Sequence, residues 1–135
     1  MPDNNQQPDI EIYVKNASHQ TILDWLGLEF ERVDIPTLTH DAFTKGRPAA
    51  GTLTLEGKTI PVFVMPNAAG KAFTSIWFKS DQTGWSSDEG CALSFLAFQD
   101  TEVRCSAASW HEQEEEGSDQ WWLIKRDEKR LIRWG

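Results

Sequence analysis

The segment IYVKN at residues 12–16 returns later in the chain as IWFKS at residues 76–80. A second echo follows each copy, because LDWLGL at residues 23–28 is matched by LSFLAF at residues 93–98. Self-similarity over about half the chain indicates an internal repeat, which is information about architecture. Neither copy contains a catalytic or metal-binding motif, so the repeat does not indicate a chemistry.

Periodicity predicts the same order of elements in both halves: one strand, one helix and about three strands. Residues 10–16 alternate as in a half-buried strand, which places apolar side chains on one side and the others on the second side. The first side has Ile10, Ile12 and Val14, and the second has Glu11, Tyr13 and Lys15. Residues 22–28, including Leu28, have the i, i+3, i+4 spacing of a core-facing helix. We therefore expect an α+β fold of two strand-helix-strand-rich units, roughly βαβββ twice, with two helices and a mostly antiparallel or mixed sheet.

Local signals refine this expectation. Ser18 is placed to cap the first helix, and the sequence SSDE at residues 86–89 fits a capping box before the second. The dipeptide at residues 57–58, Gly-Lys, separates two β-rich runs and predicts a tight hairpin. Pro61 cannot donate a backbone hydrogen bond, so it demotes its strand toward an edge or a bulge.

The length of 135 residues, with 39% apolar and 25% charged residues, fits one globular domain, 1–135. Within it we expect a disordered tail at residues 1–8, a first unit at 9–66 and a second at 71–135. The tail lacks the pattern of a secretory signal, and no run approaches the roughly 20 apolar residues of a membrane helix. These features favour a cytoplasmic protein that does not bind membranes.

The net charge of −8 argues against nucleic-acid binding, because a phosphate backbone requires clustered Lys and Arg. The charge is unevenly distributed: residues 1–120 carry 8 basic and 19 acidic side chains, and residues 121–135 carry 5 and 2. We expect the basic C-terminal hairpin to lie beside acidic strands, where the charges offset each other at the surface.

The chain has two cysteines, Cys91 and Cys105. Two cysteines in an acidic domain of this size do not make a disulfide framework. We interpret them as ordinary buried thiols, since free Cys behaves as a small hydrophobe. The alternative is a redox pair.

In its order of elements the chain resembles the glyoxalase and bleomycin-resistance group, the vicinal oxygen chelate superfamily, which is built from paired βαβββ modules. The resemblance rests on IYVKN at residues 12–16, before a helix ending in LGLEF at residues 26–30, and on chain length. It implies a pocket between the sheets of the two modules, and often a homodimer that shares strands.

Metal-dependent members of that superfamily place His or Glu ligands on the first and last strands of each module. Here the corresponding strands offer only Glu11, and the last strand offers Arg133, which does not bind metals. The resemblance therefore favours a non-catalytic branch, and we expect no catalytic residue, metal or cofactor. The alternative is an enzyme of that superfamily with Glu11 as the candidate ligand.

The second half of the chain also resembles the C-terminal half of small uncharacterised bacterial proteins, which suggests a bacterial source. The shared residues are Trp85, Asp88, Cys91, Ala92, the run VRCS at 103–106, Trp110, Trp121 and Trp122.

One constellation indicates a binding site. An acidic segment that includes Glu112 and Glu115 lies between Trp110 and the pair Trp121 and Trp122. Carboxylates beside indole faces hold a cation by charge and by the ring quadrupole together. The alternative is a solvated loop followed by a structural Trp pair. On a strand, Trp121 and Trp122 must point to opposite faces, so at most one serves a pocket.

Three functions remain from sequence alone. The first is a non-catalytic acidic module that binds a cationic or aromatic small molecule, or a basic protein partner. The second is the metal-dependent enzyme that uses Glu11. The third is a structural or dimerisation domain whose sheet forms the interface. Negative charge, abundant tryptophan and the lack of a catalytic motif favour the first.

Overall fold

The computed structural model describes residues 9–70, 72–107 and 120–134. The predicted tail at residues 1–8 lies outside them. The described part contains eight strands and three helices, in agreement with an α+β fold. In chain order they are β1 (Ile10–Lys15), α1 (His19–Glu29), β2 (Arg32–Asp34), α2 (His40–Thr44), β3 (Ala49–Leu55), β4 (Lys58–Met65), β5 (Phe73–Phe78), α3 (Asp88–Phe98), β6 (Val103–Ser106), β7 (Gln120–Lys125) and β8 (Glu128–Arg133).

All eight strands join in one antiparallel sheet of order β2-β3-β4-β5-β1-β6-β7-β8. The two echoing segments contribute its central strands and pair with each other, with Ile12 opposite Ile76. Outside this central pair, the two halves of the chain differ in strand order. In the first half, β2 is the edge strand and β3 and β4 follow toward the centre, whereas in the second half β6 is nearest the centre and β8 is the edge strand. The element order matches the prediction except for α2, a short third helix between β2 and β3 where two helices were expected in all. The sheet order gives no support for a structural repeat.

The main core lies between one face of the sheet and the helices α1 and α3. Ile10, Ile12 and Val14, the predicted inward positions of β1, are each fully buried. Other large side chains with no more than 2% exposure complete this core: Ile22, Trp25, Leu26, Leu53, Ile60, Ile76, Phe78, Phe95, Leu96 and Ile124.

Trp25 joins both helices to the sheet. Its ring meets Phe95 of α3 edge-on at a centroid distance of 5.1 Å and Phe78 of β5 at 6.1 Å, and it stacks on Trp85 at 5.7 Å. Its indole N–H donates to the Ser94 hydroxyl at 3.1 Å. The largest side chain in the core therefore buries its ring while its one polar atom keeps a partner.

The helix starts follow the predicted chemistry, with one shift. Ser18 caps α1 as expected, because its hydroxyl oxygen accepts from the Thr21 N–H at 3.1 Å. The cap of α3 is Ser87, whose hydroxyl oxygen accepts from the Gly90 N–H at 3.2 Å. A capping box would place Glu or Gln at position 90, so the predicted box does not form. Glu89 instead pairs with Lys129 of β8 at 2.8 Å.

The hairpin between β3 and β4 confirms the predicted turn. Its two turn residues are Glu56 and Gly57, both with positive φ (52° and 79°), one position earlier than the predicted dipeptide. Positive φ at both positions is the signature of the tight turn that matches the twist of paired strands.

The predicted edge or bulge position of Pro61 is wrong, since β4 lies between β3 and β5 and pairs continuously with β3. The Pro61 carbonyl accepts from the Lys79 N–H at 2.9 Å, one residue beyond the β4–β5 ladder, which begins with Val62 opposite Phe78. The nitrogen and oxygen of one strand residue point the same way. The missing N–H therefore falls at the end of the β4–β5 ladder, opposite the exposed residue Lys79.

Other predictions met mixed outcomes. Leu28, predicted to face the core, is 71% exposed, because the buried stripe of α1 contains Ile22, Trp25 and Leu26, and position 28 lies to one side of it. Cys91 and Cys105 are buried free thiols, as interpreted from sequence.

The basic hairpin of β7 and β8 contacts α3 through the Lys129–Glu89 pair. Within the described residues, no helix is both long and apolar enough to cross a membrane.

Candidate functional site

Of the five residues predicted to form the binding site, the structure describes two, Trp121 and Trp122. Trp110, Glu112 and Glu115 lie outside the described residues. Trp121 and Trp122 lie on opposite sides of the sheet, as strand geometry requires. Trp121 meets the Tyr13 ring edge-on at 5.3 Å, whereas Trp122 packs against the core beneath the helices, with the Lys129 ammonium 4.3 Å from its ring centroid.

The face of the sheet opposite α1 and α3, here called the open face, is rich in aromatic side chains. The strand registers and ring contacts place six aromatic residues on it: Tyr13, Phe63, Phe73, Trp77, Trp121 and Trp134. The second face of an antiparallel sheet is usually polar when water covers it. A concentration of aromatic rings on such a face is typical of an interaction site.

A cavity of about 580 Å³ lies on this face over β1, β4 and β5. This volume is within the range of small-molecule sites, roughly 300–1,000 Å³. Its polar groups come from Glu11, Tyr13, Ser75 and Asn67, and its apolar walls come mainly from Phe63, Met65, Trp77 and the segment Pro48, Ala49 and Ala50. The site is thus mostly apolar, with a few polar groups placed together.

Glu11 supplies the carboxylate that lines this cavity. The Ser75 hydroxyl on the neighbouring strand donates to its Oε2 atom at 2.7 Å. Burial is the main reason that the pKa of Glu11 is raised above its usual value. Hydrogen bonds from Ser75 and Tyr13 oppose this rise, and the nearby Asp9 adds to it. The ionised carboxylate is therefore less favourable here than in water, so a cation in the cavity would relieve that cost.

Three further contacts involve Trp77 in the cavity wall. The Trp77 indole N–H donates to the Asp9 carboxylate at 2.8 Å, and the ring meets that of Phe63 at a centroid distance of 5.4 Å. The Lys79 ammonium lies 5.4 Å from the centroid of the Trp77 ring. Trp77 therefore already makes a cation–π contact within the chain.

The geometry offers little for metal binding or nucleophilic catalysis. Glu11 is the one acidic side chain lining the cavity, and a divalent cation needs several converging ligands. Among residues 9–70, 72–107 and 120–134, no three His, Cys, Asp or Glu side chains are grouped as a metal site would require. Burial raises the pKa of the Cys91 thiol well above its usual value and that of Cys105 to about 12, so both thiols are protonated near neutral pH.

Comparisons with known proteins add no assignment. No protein-family model matches the chain, no curated protein is significantly similar to it, and no solved structure shares its fold at a significant level.

Sequence reasoning identified Glu11 only as the candidate ligand of the alternative enzyme. It missed Ser75 and Trp77, which come close to Glu11 only through the pairing of β1 with β5, and it missed Asp9, which precedes β1. One signal was available. In β1 the outward positions carry a carboxylate, a phenol and an amine, Glu11, Tyr13 and Lys15, opposite a strand of large aromatic residues.

Proposed function

We propose that this protein is a non-catalytic binding module for a small organic cation, which it holds on the open face with Glu11 as the counter-charge. The observation that carries the proposal is the half-buried Glu11 carboxylate in a cavity walled by Tyr13, Phe63 and Trp77. An ammonium group there gains both the carboxylate charge and the negative faces of the rings.

The charge of the whole chain supports the same ligand class. A net charge of −8 raises the local concentration of cations and repels anions before contact. The cavity volume favours a small molecule over a protein surface, since it would bury most of a compact ligand. A basic protein partner that inserts one side chain into the cavity is the alternative within the same class of function.

The test is a titration of ¹⁵N-labelled protein with tetramethylammonium chloride, with sodium chloride as the matched control salt. The Trp77 indole N–H, which donates to Asp9 beside the cavity, is the reporter, and the W77F variant assigns its resonance. We expect this resonance to shift in a saturable manner. Glu11→Gln should weaken binding by about tenfold or more, because two opposite unit charges about 5 Å apart at a partly buried site attract each other by roughly 3 kcal/mol.

Glu29→Gln is the matched control. It removes the same charge from an exposed position of α1, on the other side of the sheet, and should leave the titration unchanged. A Trp77 resonance that does not respond to tetramethylammonium would overturn the small-molecule proposal. If oligolysine shifts it instead, a basic protein partner is favoured, and if Mn²⁺ broadens it through Glu11, the metal-dependent alternative is favoured. A dimer that hides the open face would favour the structural role.

A further inference from the structure

A second cavity adjoins the first on the open face. Its volume is about 450 Å³, and its walls are Tyr13, Ala68, Ala69, Trp121 and Trp134. Tyr13 and Ala68 also line the first cavity, so the two are neighbours that share a side. None of the described residues that line the second cavity carries a carboxylate.

The three rings of this second cavity are nearly perpendicular to one another. Tyr13 and Trp121 lie 5.3 Å apart at 88°, Tyr13 and Trp134 lie 5.3 Å apart at 82°, and Trp121 and Trp134 lie 5.0 Å apart at 83°. Aromatic pairs prefer such edge-to-face contacts. A corner of this kind presents ring faces and ring edges together, which suits a flat aromatic group better than a charged one.

The charges nearby are already satisfied. The Arg104 guanidinium lies 4.6 Å from the ring centroid of Trp134 and 4.8 Å from that of Phe73. It also pairs with Glu102 at 2.7 Å. The Arg104 guanidinium therefore occupies a cation–π position over the Trp134 ring. Its positive charge repels a second cation near that ring. The second cavity is thus set up for a neutral, aromatic part of a ligand.

We propose that the ligand is an arylalkyl ammonium ion: its cationic end lies at Glu11, and its aromatic ring enters the corner of Tyr13, Trp121 and Trp134. This inference rests on the proposed function and narrows its ligand class. Tyr13 is the shared wall around which such a ligand bends, and the small side chains of Ala68 and Ala69 leave room for the ring.

The test compares three probes by isothermal titration: tetramethylammonium, hexyltrimethylammonium and (3-phenylpropyl)trimethylammonium. The first fills only the cation site, the second adds an apolar tail without a ring, and the third adds the ring. We expect the phenyl probe to bind the native chain about tenfold more tightly than the hexyl probe, in line with an additional aromatic contact.

Two variants test whether the second cavity causes the tighter binding of the phenyl probe. Trp121→Ala removes one wall, and Ala69→Phe fills the second cavity from a partly exposed loop position. Thermal melts check that each variant is folded. In both variants the phenyl probe should bind no more tightly than the hexyl probe. The affinity for tetramethylammonium should stay within about twofold of the native value, since neither residue lines the first cavity.

The outcomes separate the two proposals. If tetramethylammonium binds through Glu11 but the phenyl probe is no tighter than the hexyl probe, the second cavity is not a ring site, and the proposed function stands without this inference. A phenyl gain that survives both variants also overturns the inference. If no probe binds, the proposed function itself fails.

Discussion

The backbone N–H of Glu11 donates to the Oδ1 atom of Asp88, 3.0 Å away, and this bond ties the first residue of α3 to the strand that carries the cavity carboxylate. The pairing of β1 with β6 covers only Tyr13 and Val14, so Asp88 provides the partner that β6 does not provide at Glu11. Asp88 is 8% exposed, which makes the bond well protected from water. The position of Glu11 on the open face therefore depends on a side chain from the helical face.

We expect Asp88→Ala to lower the free energy of unfolding by about 1–3 kcal/mol, because it leaves a buried N–H without a partner. Urea denaturation measures this change. Glu89→Ala is the neighbouring control: it breaks the partly exposed pair with Lys129 and should cost about 0–1 kcal/mol. Equal decreases in the free energy of unfolding for the two variants would show that the Asp88 hydrogen bond contributes no more to stability than the partly exposed Lys129–Glu89 pair.

Glu11 should lower stability at neutral pH. Its pKa is raised in the folded state, so folding favours the protonated form. Stability from this group is complete below its ordinary pKa and is lost as the pH rises through the raised value. We therefore expect Glu11→Gln to melt at a higher temperature than the native chain at pH 7, with the difference vanishing once the pH falls below the ordinary pKa. Melting curves at several pH values check this.

Asp9, Tyr13 and Lys79 are the charged or titratable groups beside the cavity. Asp9→Asn should make the difference at pH 7 smaller, because it removes a nearby negative charge that raises the pKa of Glu11 in the folded state. A Glu11→Gln variant that is less stable than the native chain at neutral pH would contradict the assigned environment.

Two glycines should respond in opposite ways to alanine. A Cβ at Gly51 would lie 2.2 Å from the Asp34 carbonyl oxygen and 2.8 Å from the Ile35 Cα, both backbone atoms. Gly51→Ala should therefore cost about 1–3 kcal/mol or more by forcing β2 away from β3. Gly27 lies in α1 with nothing within 4 Å of an added Cβ, so Gly27→Ala should add about 0.5–1 kcal/mol. Chemical denaturation of the pair tests both signs.

The thiols should be inert in the folded protein. With a pKa of about 12, Cys105 is ionised in only about one molecule in 10⁴ at pH 8, and the pKa of fully buried Cys91 is also raised well above its usual value. Ellman's reagent should therefore react with neither thiol at pH 8 in buffer and with both in guanidinium chloride. Fast reaction of a thiol in buffer would contradict its burial.

Strand β1 shows what sequence can predict. Its alternation assigned Ile10, Ile12 and Val14 to the core and Glu11 and Tyr13 to the second face, and all five lie as assigned. Such predictions succeed because the two-residue period of a strand is a local property of the backbone. The cap at Ser18 succeeded for the same reason.

Predictions that depend on partners distant in sequence did worse. The edge position of Pro61 failed because the pattern of one strand does not state which strands flank it. The cavity around Glu11 could not be predicted for the same reason: Glu11 and Ser75 are 64 residues apart, and only the register of β1 against β5 brings them together. The opposite orientation of Trp121 and Trp122, by contrast, required only the strand period.

The interleaved centre of the sheet also determines how the chain must fold. Strand β5 inserts between β4 and β1, and β1 in turn pairs with β6. Neither half of the chain can therefore form a continuous sheet from its own strands alone. The pairs at the centre join residues as distant as Ile10 and Phe78. Loop closure over such spans comes before the contacts that stabilise it, which slows folding. During synthesis, β1 therefore has no strand partner until β5 has emerged from the ribosome.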